Sequence, residues 1–225
     1  MRLLLIPGIR ERISLTRFAI FKRTRKIKSY KDVRHVDRVS YSLSALEKYA
    51  SIRERVDFLV SSLANSKRFT EKSKLLVLGP RYESEIFGYL GLGFIRKNVH
   101  AIDTHSYSKL ITPGNLHNLP FDSNCFDFVV CGWTLAYSEK LTRALSEIHR
   151  VMKQGALLIM TFDLQEGETV DSLADLRIAN EENPLLQLIL PQFELRNWFL
   201  GKTSWSDKKN ICCLSLEKLQ VLSRP

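Results

Sequence analysis

The sequence predicts an α/β domain with a mostly parallel sheet, finished at one edge by an antiparallel hairpin. Three observations carry that expectation. Short, nearly continuous apolar runs recur at 75–78, 98–102, 126–131 and 156–162, the pattern of strands buried on both faces. Helix-compatible segments lie between them, as βαβ crossovers require. The last two strand-like segments, 193–199 and 210–217, are joined by a polar stretch containing Gly201 and Asp207 and no crossover helix, so they are expected to pair antiparallel.

In chain order, residues 1–40 mix short apolar groups with basic ones and show no sustained period. They read as a partly ordered or docked arm, not as an independent core. Over 44–63 the pattern changes. Leu46, Tyr49, Ile52, Val56, Leu59, Val60 and Leu63 recur at three-to-four spacing and predict one amphipathic helix, with Ser44 and Glu47 at the spacing of a capping box. A largely polar linker at 67–72 follows. The expected division is a basic N-terminal extension, 1–73, and an α/β domain, 74–225.

The first strand ends in the turn Leu78-Gly79-Pro80-Arg81-Tyr82-Glu83, ahead of a helix over 83–92. A strand, a glycine turn and a helix bring backbone close to a ligand at the carboxyl end of a sheet. One glycine stands where a dinucleotide fingerprint needs three, which argues against NAD. The second strand stops at Asp103, where a carboxylate is placed to accept both hydroxyls of a ribose; the plainer role is to cap a turn. Leu141, Ala144, Leu145, Ile148, Val151 and Met152 then give one apolar helix face, which Gly155 is expected to close.

The net charge of +10 is unevenly spread: residues 1–74 hold 19 Lys and Arg against 7 Asp and Glu, and the remaining 151 hold 15 against 17. The basicity belongs to the extension and peaks over 10–34, where ten basic residues face only Glu11 and Asp32. Cys125, Cys131, Cys212 and Cys213 match no zinc spacing and read as reduced thiols in a cytoplasmic protein. No metal site is expected. The run 3–6 is cut off by Pro7-Gly8, and no stretch has the length of a transmembrane segment.

Residues 115–121 (NLHNLPF), 124–130 (NCFDFVV) and 144–156 (ALSEIHRVMKQGA) resemble, in order and spacing, the class I S-adenosylmethionine-dependent methyltransferases of the small-molecule type. In that family an LPF loop, an FD strand and an E-x-x-R-V-L-K-P-G-G helix end follow one another. The resemblance covers roughly 74–163 and implies a Rossmann-like methyltransferase fold with S-adenosyl-L-methionine as cofactor. By position, Gly79 corresponds to the first glycine of the cofactor loop, Asp103 to the acidic residue on the cofactor ribose, and Asn115 to a residue near the adenine amine. Leu116 would line the adenine pocket. Gly132 and Trp133 follow the strand 126–131, where the resemblance implies that the methionine portion and the acceptor meet. The family's acid-x-Gly-x-Gly-x-Gly is replaced by Val77 to Glu83, so the acid and two glycines are missing. Arg81 is then a candidate for the cofactor carboxylate, or a side chain that fills the pocket.

Methyl transfer from a sulfonium is an in-line displacement, for which alignment in a dry pocket matters most and a base serves hydroxyl acceptors. His105 and Tyr137 are the first choices for a catalytic group at the strand ends, followed by Tyr107, His117, Trp133 and Asp163. The acceptor implied is a small molecule or carbohydrate-like compound. Two alternatives stay open: a non-catalytic binding or scaffold protein that kept the fold, and an RNA or other nucleic-acid methyltransferase. The arm 10–34 is expected to cover the acceptor pocket, to contact RNA or an anionic membrane surface, or to be solvated. Homodimerisation through an exposed edge or the amphipathic helix is also open.

Overall fold

A computed structural model of the chain describes residues 2–24, 28–29, 53–66, 68–164, 188–189, 191–203 and 206–219. Ser44 with its capping box, most of the basic arm, the acidic segment 166–184 and Trp205 lie outside these residues.

The elements, in order, are α1 (Pro7–Arg23), β1 (Lys28–Ser29), α2 (Arg53–Asn65), β2 (Leu75–Leu78), α3 (Glu83–Leu92), β3 (Val99–Asp103), β4 (His105–Ser106), β5 (Thr112–Pro113), β6 (Phe126–Gly132), α4 (Leu141–Val151), β7 (Met152–Leu164), β8 (Phe193–Thr203) and β9 (Ser206–Lys218). Seven strands form one sheet in the order β5-β3-β2-β6-β7-β9-β8. The pairs among β5, β3, β2, β6 and β7 are parallel, whereas β9 runs antiparallel to both β7 and β8. The expected hairpin is therefore present, and its second strand, β9, sits inside the sheet while β8 forms the edge.

Every residue of β2 is buried, and alternation sends its side chains into two cores. Leu76 and Leu78 join Val129, Cys131, Leu158 and Met160 beneath the α4 face made by Ala144, Leu145, Ile148 and Val151. Leu75 and Val77 join Phe128, Val130, Leu157 and Ile159 on the opposite face, covered by α2 and α3 through Val56, Leu59, Leu63, Ile86 and Tyr89. Each fully buried aliphatic chain contributes about 1.5–3 kcal/mol by leaving water. The described part of the apolar stripe predicted over 44–63 therefore shares a core with the sheet. All four cysteines are free thiols, three of them buried in strands.

Two expectations need correction. The last parallel strand begins at Met152, not Ala156, and the register with β6 shifts between Phe126 and Phe128. Gly155 (φ 69°) therefore lies inside β7 and does not close α4. The α4 end is held instead by Lys218 from β9, whose buried ammonium donates to His149 O at 2.9 Å and Met152 O at 2.8 Å. A cation suits a helix carboxyl terminus. The arm, which showed no period, contains the 17-residue helix α1. Its Phe18 meets Tyr107 with ring centroids 5.0 Å apart, while the Arg10 guanidinium pairs with Asp57 of α2.

Candidate active site at the strand ends

Register brings three expected site residues to one edge of the sheet. Leu78 pairs with Ile102 on one side and Cys131 on the other, so Gly79, Asp103 and Gly132 follow at the same level. Gly79 takes φ 67°, a conformation glycine adopts without steric cost, and its N–H donates to Ile102 O at 2.8 Å. A Cβ there would overlap the Thr134 hydroxyl and lie 2.9 Å from its methyl carbon. Thr134 reaches this position by donating to Leu78 O (3.1 Å) or Gly132 O (3.0 Å). Gly132 is needed for a different reason, because a Cβ would come within 2.6 Å of Leu59 Cδ1.

Asp103 is half-buried. Burial lifts its carboxyl above the ordinary value, while the His105 amide, the nearby Arg81 guanidinium and the Thr104 hydroxyl pull it back. The hydrogen bonds it accepts from described residues, from Thr104 Oγ1 (3.2 Å) and His105 N (3.4 Å), both fall on Oδ1. Since the Thr104 hydroxyl donates to Asp103, it accepts from His105 Nδ1–H at 2.9 Å. That network leaves Nε2 as a bare acceptor. His105 is 6% exposed, burial depresses its pKa, and Nε2 has no hydrogen-bond partner among the described residues. A buried acceptor without a donor is costly, so a ligand hydroxyl or amine would be held there at a net gain.

The other expected residues are dispersed. Asn115 turns its side-chain carbonyl onto His117, accepting from the backbone N–H at 2.9 Å and facing Nδ1 at 2.8 Å. His117 Nε2 meets Ser138 Oγ at 2.8 Å, and burial depresses the ring's pKa. Leu116 packs on the α4-side core. Trp133 has φ 56°, unusual for a bulky residue, and its indole is buried in the core beneath α2 and α3. Tyr137 is 51% exposed beyond β6. Asp163 lies in β7 opposite Ile211.

The start of α3 is filled from within the chain. Glu83 is fully buried, and its carboxylate accepts from Arg17 Nε (2.5 Å) and Nη2 (3.0 Å) and from the Ser108 hydroxyl. Glu83 N donates to Tyr107 Oη at 3.0 Å, and Ser84 N donates to Ser14 Oγ at 3.2 Å. Burial pushes the Tyr107 phenol up to about 12, so it stays protonated. These partners were not evident from sequence, because Ser14 and Arg17 lie about 70 residues away from the turn they complete. The LPF loop has its own clamp. Arg150 donates to Phe121 O (2.7 Å) and Leu119 O (3.0 Å) while pairing with Glu147, which accepts from Leu119 N at 2.7 Å.

Residues 90–160 match the family model described as a methyltransferase domain. The sheet order, the glycine turn after β2 and the acid at the end of β3 occur together with that match. The chain has the class I S-adenosylmethionine-dependent methyltransferase fold. Among solved structures, this methyltransferase fold is similar to the N-methyltransferase NodS from Bradyrhizobium japonicum in complex with S-adenosyl-L-homocysteine. The identity is 12%, the TM-score 0.56, and 80% of this chain and 99% of that one are covered. It is similar also to the [4+2]-cyclase SpnF, at 15% identity and TM-score 0.53, over 72% of this chain and 80% of that one. Among curated proteins, a demethylmenaquinone methyltransferase from Symbiobacterium thermophilum is 38% identical over 69 residues, 30% of this chain and 28% of that protein. One from Staphylococcus epidermidis is 44% identical over 46 residues, 20% of this chain and 19% of that protein. The chain thus matches under a third of the length of these relatives. Among the described residues, no group of three or more His, Cys, Asp or Glu could hold a metal ion, and no helix is long and apolar enough to cross a membrane.

Proposed function

We infer that the protein binds S-adenosyl-L-methionine at the carboxyl ends of β2, β3 and β6 and transfers its methyl group to a small-molecule acceptor. The observation that carries this is the alignment of Gly79, Asp103 and Gly132, with His105 Nε2, a buried acceptor unpartnered among the described residues, two residues beyond Asp103.

The residues fit the nucleoside end of the cofactor. Asp103, with its Oδ1 engaged by Thr104 and His105, offers Oδ2 to a ribose hydroxyl, and Leu116 supplies apolar surface for the base. Asn115 would present its amide nitrogen, since its oxygen is already engaged by His117. Arg81, half-buried beside Asp103, is assigned to the amino-acid carboxylate, in place of the backbone amides that Tyr107 and Ser14 occupy. The cofactor supplies an electrophilic methyl group on sulfur. The chain's part is to align the acceptor and exclude water near Gly132 and Trp133, with neutral His105 assigned to take a proton from a hydroxyl acceptor. Small alcohols, carbohydrates and quinols are the acceptor classes to screen.

A second reading is a binding module without turnover. It is favoured by the glycine positions of the cofactor loop being taken by Arg81 and a buried Glu83. The similarity to a cyclase shows only that proteins of other names share the fold. Incubation with methyl-labelled cofactor and fractionated extract distinguishes the two. Label transfer that Asp103→Ala abolishes supports the enzyme; ligand binding without transfer to any fraction supports the module. Transfer confined to RNA would instead favour the nucleic-acid reading.

A further inference from the structure

Among the described residues, six of the nine exposed large apolar side chains lie in the first twenty positions: Leu3 (65%), Leu5, Ile6 (48%), Ile13 (38%), Leu15 and Ile20 (55%). Surfaces seldom concentrate aliphatic side chains in this way without a use. Helix α1 explains how they coexist with a docked helix. Its inward face holds Arg10, Ser14, Phe18 and Phe21 against the α3 start, Tyr107 and α2. Ile13 and Ile20 stand seven residues apart in α1, and seven residues turn a helix to within about 20° of its starting direction, while the exposed Ile6 lies one residue ahead of the helix. Ile13 and Ile20 form a second, exposed apolar stripe along the flank of the docked face, continued at the helix start by Ile6.

Charge decides what covers that stripe. The exposed cations Arg12 and Arg23 flank it, and Arg17, although paired with Glu83, keeps 42% of its side chain exposed. The only acid in α1, Glu11, is buried on the other side. A second copy seated on the stripe would set these arginines against their own equivalents. RNA would match the cations and leave the isoleucines against phosphate and water. An anionic bilayer satisfies both: aliphatic side chains enter the acyl boundary while arginines meet lipid phosphates.

We propose that the exposed side of α1, formed by Ile13 and Ile20 with Arg12 and Arg23 and extended by Ile6 just ahead of the helix, seats the protein on the surface of an anionic phospholipid membrane. The same helix closes the α3 start through Ser14 and Arg17, so the docked lipid face and the candidate site are two sides of one element.

The test is flotation of the full chain with vesicles of phosphatidylcholine alone and of phosphatidylcholine mixed with phosphatidylglycerol. Binding is expected to the mixed vesicles only, and to weaken from about 0.1 M to about 1 M salt, as the screening length falls from about 10 to about 3 Å. Ile13→Gln with Ile20→Gln is expected to reduce partitioning at least tenfold, and Arg12→Gln with Arg23→Gln about tenfold, with melting temperatures unchanged. No flotation with either vesicle would overturn the proposal. So would binding indifferent to the isoleucine changes, isoleucine-dependent dimerisation without vesicle binding, or salt-sensitive RNA binding without vesicle binding.

Discussion

Arg17 and Glu83, 66 residues apart, form a two-point ion pair that ties the N-terminal helix to the first turn of α3, with Nε–Oε2 at 2.5 Å and Nη2–Oε1 at 3.0 Å. Glu83 is fully buried at the start of α3. A buried carboxylate at a helix start gains from the dipole and still needs a cation. The first turn of α3 and helix α1 are therefore one structural feature, in which a buried side chain of the turn is neutralised by the N-terminal helix.

Removing that cation is expected to be costly. Arg17→Ala leaves Glu83 buried without its partner and should lower stability by about 1–3 kcal/mol, less than the ~3–5 of a fully buried pair because Arg17 is partly exposed. Urea denaturation checks it, and Arg17→Ala combined with Glu83→Gln should recover most of the loss.

Gly79→Ala should destabilise by roughly 2 kcal/mol or more, combining a left-handed backbone with overlap onto Thr134. Adding Thr134→Ala removes the hydroxyl and methyl contacts and should restore only part, because the backbone strain stays. Thermal melts of the two variants separate the contributions.

Asp103 carries opposite demands. Its folded pKa is raised by burial, so the wild-type chain loses stability as pH rises from about 3.8 through the folded value, and that loss persists at neutral pH. Asp103→Asn keeps the Oδ1 acceptor and removes the charge. It is expected to gain stability relative to wild type at pH 7, to lose the gain in acid, and to bind nucleoside ligand at least tenfold more weakly. Melting curves across pH and a binding titration read both effects.

The Glu147–Arg150 clamp should titrate with the opposite sign. Hydrogen bonding by Arg150 holds the Glu147 carboxyl below 4.5, so its stabilisation is present above that value and lost as pH falls through the lower folded pKa. Arg150→Ala should cost about 1–3 kcal/mol and speed amide exchange at Leu119, whose N–H the clamp holds.

The sheet was legible in the sequence because buried parallel strands are dense apolar runs. Leu75 to Leu78 was located to the residue, and the terminal hairpin followed from two strands lacking a crossover. Helix α1 was not legible: Phe18 and Phe21 face inward while Ile13 and Ile20 face outward, and apolar residues on both faces erase the period. The start of β7 was missed because Lys153-Gln154-Gly155 reads as a helix end, whereas the observed register shift lets the strand begin at Met152. Gly79 and Asp103 could be placed because strand ends are visible in one dimension. Thr134, Ser14, Tyr107 and Arg17 could not be assigned their roles, since those are set by packing between distant segments.

The most direct test is isothermal titration calorimetry of the full chain with S-adenosyl-L-methionine and with S-adenosyl-L-homocysteine. The account predicts micromolar binding of both, weakened at least tenfold in Asp103→Ala. No heat with either ligand, together with a melting temperature unmoved at high ligand concentration, would contradict it and mark the Gly79 to Glu83 turn as closed by the chain itself.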